Sequence, residues 1–248
     1  MNMKATIAAG AVLLSLGLVQ AVAGEPAAPA DPGAKTNVNV WNADGGEKDE
    51  ALHLTPNKEN GREVYEVCSA CHLPEGSGAK DGTFPQLAGQ HRHVVIKQLS
   101  DIRAKNRDNP TMYPFALPQE IGGPQSIADV AEYIATLPMT PDNGLGAGTD
   151  LEHGAKLYKD NCVKCHGEKG EGNEAKWYPL IQGQHYNYLI RQFREIKSGK
   201  RRNSNPDMVA QIKSFSDRDV EAVMDFVSRL KPPADRLAPP GWKNPDFE

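Results

Sequence analysis

The chain has 248 residues, 39% hydrophobic and 6% aromatic, with 28 lysines and arginines against 32 aspartates and glutamates for a formal net charge of −4. So mild a balance excludes nucleic acid as the main partner, because binding a phosphate backbone takes a concentrated basic surface. Past the first two dozen residues no apolar run is long enough to span a membrane, so a soluble mature protein is expected.

Residues 1–23 have the plan of a secretory signal. Lys4 supplies the positive start, Ala5 to Val19 the apolar run, and Ala21-Val22-Ala23 a small-residue cleavage site. Gly10, Ser15 and Gly17 interrupt a run already short of the ~20 residues a span needs, so export with cleavage near Ala23 is the expectation. Residues 24–58 form an acidic and largely aperiodic extension.

The first ordered unit, 59–138, opens with Gly61 and Tyr65 one helical turn apart and then reads Cys68-Ser69-Ala70-Cys71-His72. Pro85 follows thirteen residues after the histidine, and Gly-Gln-His stands at 89–91. Val94, Val95, Leu99 and Ile102 recur at near 3.6 spacing and predict an amphipathic helix. After it come Asn109-Pro110-Thr111-Met112, then a last helix carrying Tyr133 and opened by a capping signal from Ser126 to Asp129. Residues 139–150, rich in proline and glycine and without a hydrophobic stripe, suggest a linker.

Residues 151–231 repeat the first unit feature by feature. Gly154 and Tyr158 precede Cys162-Val163-Lys164-Cys165-His166, Pro179 again follows the histidine by thirteen, and Gly-Gln-His returns at 183–185. Tyr188, Leu189, Phe193 and Ile196 mark the helix, Asn205-Pro206-Asp207-Met208 the loop, and Ser216 to Asp219 the cap of a helix carrying Phe226. Residues 232–248 are a proline-rich tail. No stretch alternates with period two, so three or four helices per copy and no sheet of consequence are expected.

Four cysteines in an exported chain would by default pair as disulfides, but here each pair is Cys-x-x-Cys followed at once by histidine, the attachment site of a c-type haem. Two thiols three residues apart can bond the two vinyl groups of one porphyrin while the adjacent histidine reaches the iron. Cys68, Cys71, Cys162 and Cys165 are therefore the candidate attachment residues of two covalent haems, with His72 and His166 the axial ligands. A zinc site would instead need the two Cys-x-x-Cys units paired in one place. For the sixth ligand the repeat offers Met112 and Met208 on matching loops, with His91 and His185 as rivals. Thioether and imidazole together favour ferrous iron and leave no position for a substrate, so the expected chemistry is electron exchange. Pro85 and Pro179 are either plain loop prolines or the carbonyls that hold the far ring N–H of each histidine.

These motifs resemble the class I cytochromes c, and among them the dihaem cytochromes of the c-four type, over roughly residues 59–231. The resemblance implies an all-α fold of two tandem class I domains related by a pseudo-twofold axis. Gly61 with Tyr65 and Tyr133, and Gly154 with Tyr158 and Phe226, would stand where first and last helices cross. It also implies a periplasmic electron carrier, not an enzyme, whose partners are redox proteins, a membrane terminal oxidase among them, with no nucleic acid and no small-molecule substrate. A cytochrome subunit of a dehydrogenase complex is the alternative, and a dihaem enzyme such as a peroxidase the more distant one. Because basic residues gather in the second copy, Lys197, Lys200, Arg201 and Arg202 are expected to form a docking surface for an acidic partner.

Overall fold

A computed structural model describes residues 41–42 and 44–247. The secretory signal and most of the acidic extension lie outside them. Eleven α-helices make up the described chain, and its only β-pairings are two isolated bridges, Met139 with Leu237 and Asn173 with Tyr178. The all-α expectation holds.

α1 (Gly46–His53) belongs to the acidic segment, yet it folds onto the first copy, burying Ala51 against that copy's core. Arg92 donates to the carbonyls of Ala51 and Leu54 at its end, both at 3.2 Å. α2 (Lys58–His72) starts at Asn57, whose side chain accepts from the Glu59 and Asn60 amides and so satisfies two donors a helix start leaves open. α3 (Arg92–Arg103) buries Val94, Val95, Leu99 and Ile102. Two single turns follow, α4 (Tyr113–Ala116) and α5 (Pro118–Ile121), and then α6 (Pro124–Thr136). The Pro118–Gly122 turn, which the second copy lacks, is held by Arg103 through the carbonyls of Ala116 and Gly122.

The second copy runs α7 (Leu151–Asn161), α8 (Val163–His166), α9 (Tyr186–Lys197), α10 (Pro206–Ile212) and α11 (Asp217–Ser228). Each copy has its own core. One gathers Tyr65, Ile96, Ile127, Val130, Tyr133 and Ile134; the other Tyr158, Phe193, Ile212, Val220, Val223 and Val227, with Met224 as plain filling.

First and last helices cross on a glycine in both copies. A Cβ on Gly61 would lie 2.2 Å from the Asp129 carbonyl oxygen, and one on Gly154 2.1 Å from that of Ala222, so only glycine lets the backbones approach. Beside each crossing the rings meet, Tyr65 with Tyr133 at 5.3 Å and Tyr158 with Phe226 at 5.5 Å between centroids.

Two local expectations are corrected. Ser216 and Asp219 do form a reciprocal capping box, but Ser126 and Asp129 do not, because Pro124 starts α6 two residues before Ser126. Asp129 instead accepts from the Asn57 amide at 2.7 Å and from the Asn60 side chain at 2.6 Å, tying the first helix to the last. Residues 139–150 are not a free spacer. Met139 is buried, Asn143 donates to the Gln184 and Ser228 carbonyls, and Gly148 and Arg229 both bind Asp225.

Candidate haem centres

Both motif histidines are buried and each ends a helix; Cys68 and Cys71 lie in the last turns of α2, whereas Cys162 caps the single turn α8 that carries Cys165. The Nδ1 of His72 lies 2.9 Å from the Pro85 carbonyl and that of His166 lies 3.1 Å from the Pro179 carbonyl. A carbonyl only accepts, so Nδ1 carries the proton in both rings and Nε2 presents its lone pair, without a hydrogen-bond partner among the described residues. Burial lowers the pKa of both imidazoles against the opposing pull of those carbonyls, which keeps them neutral. Of the two roles open to Pro85 and Pro179, the carbonyl one is therefore realised.

Further contacts fix the turn that follows each motif. Tyr65 donates its hydroxyl to the Leu73 carbonyl at 2.9 Å, and Tyr158 to that of Gly167 at 2.6 Å. The Gly78 amide reaches back to the His72 carbonyl at 2.9 Å and the Gly172 amide to that of His166 at 2.8 Å. The family resemblance implied the tyrosines as crossing residues; their grip on the motif turn depends on hydroxyl placement, which the sequence does not encode.

Cys68 and Met112 border one core cluster, Cys162 and Met208 the other. Burial pushes the Cys68 and Cys162 thiols up to about 12, so neutral sulfur, as in a thioether, suits these positions better than a metal-bound thiolate. Among the described residues no three histidine, cysteine or carboxylate side chains converge on one point, and the four cysteines do not assemble into a zinc site. A haem in each copy fits this donor set: a neutral imidazole with a free Nε2, a half-buried cysteine pair, and a methionine at the edge of the same cluster.

His91 and His185 are engaged elsewhere. His91 Nε2 donates to the Glu171 carbonyl at 2.8 Å and His185 Nε2 to the Ser77 carbonyl at 2.7 Å, each in the other copy. His185 Nδ1 also accepts from the Gly144 amide at 2.9 Å, so both its nitrogens are occupied. The glutamines beside them make a matching exchange. Gln90 pairs with the backbone of Leu180 at 2.8 and 3.0 Å, and Gln184 with the backbone of Gln86 at 2.9 Å in both directions. This reciprocity is the pseudo-twofold relation written in hydrogen bonds.

A second reciprocal group lies on the same seam. Arg107 donates to Gln98 and Gln192, both at 3.0 Å, and Arg201 to Gln192 at 2.8 Å and Gln98 at 3.0 Å. The expected docking cluster is thereby corrected. Arg201 belongs to the seam, Arg202 donates to the Lys105 carbonyl of the first copy, and Lys197 donates to the Phe215 carbonyl, leaving Lys200 largely exposed.

Comparison with known proteins agrees with this geometry. Residues 58–138 and 151–231 each match the family model for cytochrome c. The chain is 30% identical over 194 residues to cytochrome c4 of Azotobacter vinelandii, covering 72% of this chain and 91% of that protein. It is 31% identical over 175 residues to the thiosulfate dehydrogenase electron acceptor of Stutzerimonas stutzeri, covering 66% and 79%. The crystal structure of reduced recombinant cytochrome c4 from Pseudomonas stutzeri superposes with a TM-score of 0.64 at 27% identity, over 71% of this chain and all of that one.

Proposed function

The chain belongs to the cytochrome c family as a c4-like dihaem electron carrier, and we propose that it works in the periplasm, passing single electrons from a dehydrogenase to a membrane terminal oxidase. The two covalent haems supply the one-electron couple. Cys68 and Cys71 would hold the first and Cys162 and Cys165 the second, with His72 and Met112, and His166 and Met208, as the residues that would ligate each iron. Pro85 and Pro179 keep each imidazole in one tautomer and one orientation, a control that tunes a ligand's basicity. With an imidazole and a thioether both supplied by the chain, no position would be left for a substrate and each site would be limited to electron exchange.

The observation that carries this reading is the repeated bond from the motif histidine to a proline carbonyl, which leaves an unprotonated Nε2 on a buried ring in two equivalent sites. The name of the relative from Stutzerimonas stutzeri supports a dehydrogenase as donor. No described helix is long and apolar enough to cross a membrane, in keeping with a carrier that diffuses between partners. A redox titration with spectra of both oxidation states is the test: two haems with methionine-type spectra are expected, and acidic acetone should leave the colour on the protein. Extraction of the colour, or failure to bind two haems, refutes the proposal.

A further inference from the structure

The segment after the second copy leaves that copy and crosses to the first. Arg236 and Ala238 pair with the backbone of Met139 at 2.8 Å, and Arg236 donates to the Gly89 carbonyl at 2.7 Å. Beyond them Trp242 and Phe247 pack against the first core, with the Phe247 ring edge-on to Tyr65 at 5.9 Å. Asn244 is 3% exposed, and its Nδ2 donates to the Pro74 carbonyl at 2.7 Å and to the Tyr133 hydroxyl at 2.9 Å. That hydroxyl in turn donates to Asp246 at 2.9 Å, and Lys243 meets Glu75 at 3.3 Å.

These contacts converge on Leu73-Pro74-Glu75, the turn directly after His72, and on the two tyrosines behind it. In the second copy the Tyr158 hydroxyl holds the corresponding turn as Tyr65 does in the first, but Phe226 stands where the first copy has Tyr133, with no hydroxyl for such a segment to bind. The strap also lies outside the two stretches that match the family model. A repeat that builds two near-equal sites is thus made unequal by one added cover. Covering a haem site with protein excludes water, which otherwise stabilises the charged ferric state, and raises the potential.

We propose that residues 239–247 are a positioning strap for the first haem site, with Asn244 its central residue, raising the potential of the first haem above the value its own copy would give. The inference rests on the carrier reading above. Two variants of the full chain test it: Asn244→Leu, which keeps side-chain bulk but removes both donated bonds, and a chain ending at Ala238, which keeps the pairing with Met139. Potentials are read by optical redox titration, with Met112→Ala in each background marking the first haem. Both variants should shift the first haem's potential downward and leave the second unmoved. Potentials unchanged in both variants, or shifted equally at both haems, overturn the strap while leaving the carrier reading intact. A parent protein that does not titrate as two c-type haems overturns both, so the two failures are distinguishable.

Discussion

Met208 and His185 were both visible in the sequence as repeated candidates for an iron ligand, and the surroundings of each side chain separate them. Met208 borders the same core cluster as Cys162, whereas both nitrogens of His185 are spent on Gly144 and Ser77. Met208→Ala should therefore lower the potential of the second haem and open it to carbon monoxide, seen as a spectral change on adding the gas to reduced protein. His185→Ala should leave both spectra alone and destabilise the fold by about 1–3 kcal/mol, since it removes the partner of a half-buried carbonyl and a half-buried amide. The cysteines and histidines were legible because covalent attachment fixes their spacing in one pentapeptide. The Gly-Gln-His repeat was equally plain, but its partners lie in the other copy, some 80 to 110 residues away, where no local pattern reaches.

At the scale of the element, periodicity located the buried face of α3 and, in Leu189 and Phe193, that of α9, while caps and crossings needed more than periodicity. Ser-x-x-Asp occurs before both last helices, yet only Ser216 and Asp219 close a box; in the first copy Pro124 moves the start and frees Asp129 to bind α2. Ser216→Ala should accordingly cost about 1 kcal/mol in urea unfolding, the usual worth of a lost N-cap. Asp219 adds a pH dependence. The Ser216 hydroxyl and amide, joined by His153, hold its carboxyl down at about 2 from an ordinary 3.8. A carboxylate with a depressed folded pKa contributes stability that is complete above the unfolded value and disappears as pH falls through the folded one. Thermal melts of the parent should thus lose this contribution between roughly pH 4 and 2, and Asp219→Asn should flatten the slope there. At the crossing itself, Gly154→Ala drives a methyl into the Ala222 carbonyl and should destabilise by about 1–3 kcal/mol or more, because backbone on backbone has little room to yield.

The whole molecule is held by a seam that the sequence hid, because its residues look like ordinary surface charge. Arg201 stands in a run of basic residues, and in a linear reading the run is a docking patch; in three dimensions its guanidinium bridges Gln98 of one copy and Gln192 of the other, and Arg107 returns the arrangement by pseudo-symmetry. Burial lowers its pKa to about 10, so it still carries its charge at neutral pH, and the four amide contacts of the two arginines are charge-assisted. Such a seam should couple the unfolding of the two copies, while an exposed charge affects encounters with a partner, by steering that salt screens. The two roles separate by substitution. Arg201→Ala should split or broaden the parent's thermal transition in calorimetry, because the Gln98–Gln192 pair loses one of its two bridges while each copy keeps its own core. Lys200→Glu, at a side chain 60% exposed, should leave the transition unchanged and slow electron transfer to an acidic partner at low salt, with the difference fading as ionic strength rises. If Arg201→Ala slowed transfer in the same salt-dependent way and left unfolding cooperative, the guanidinium would be serving the partner and the copies would be joined by their other mutual bonds, those of Gln90, His91, Gln184, His185 and Arg191 among them.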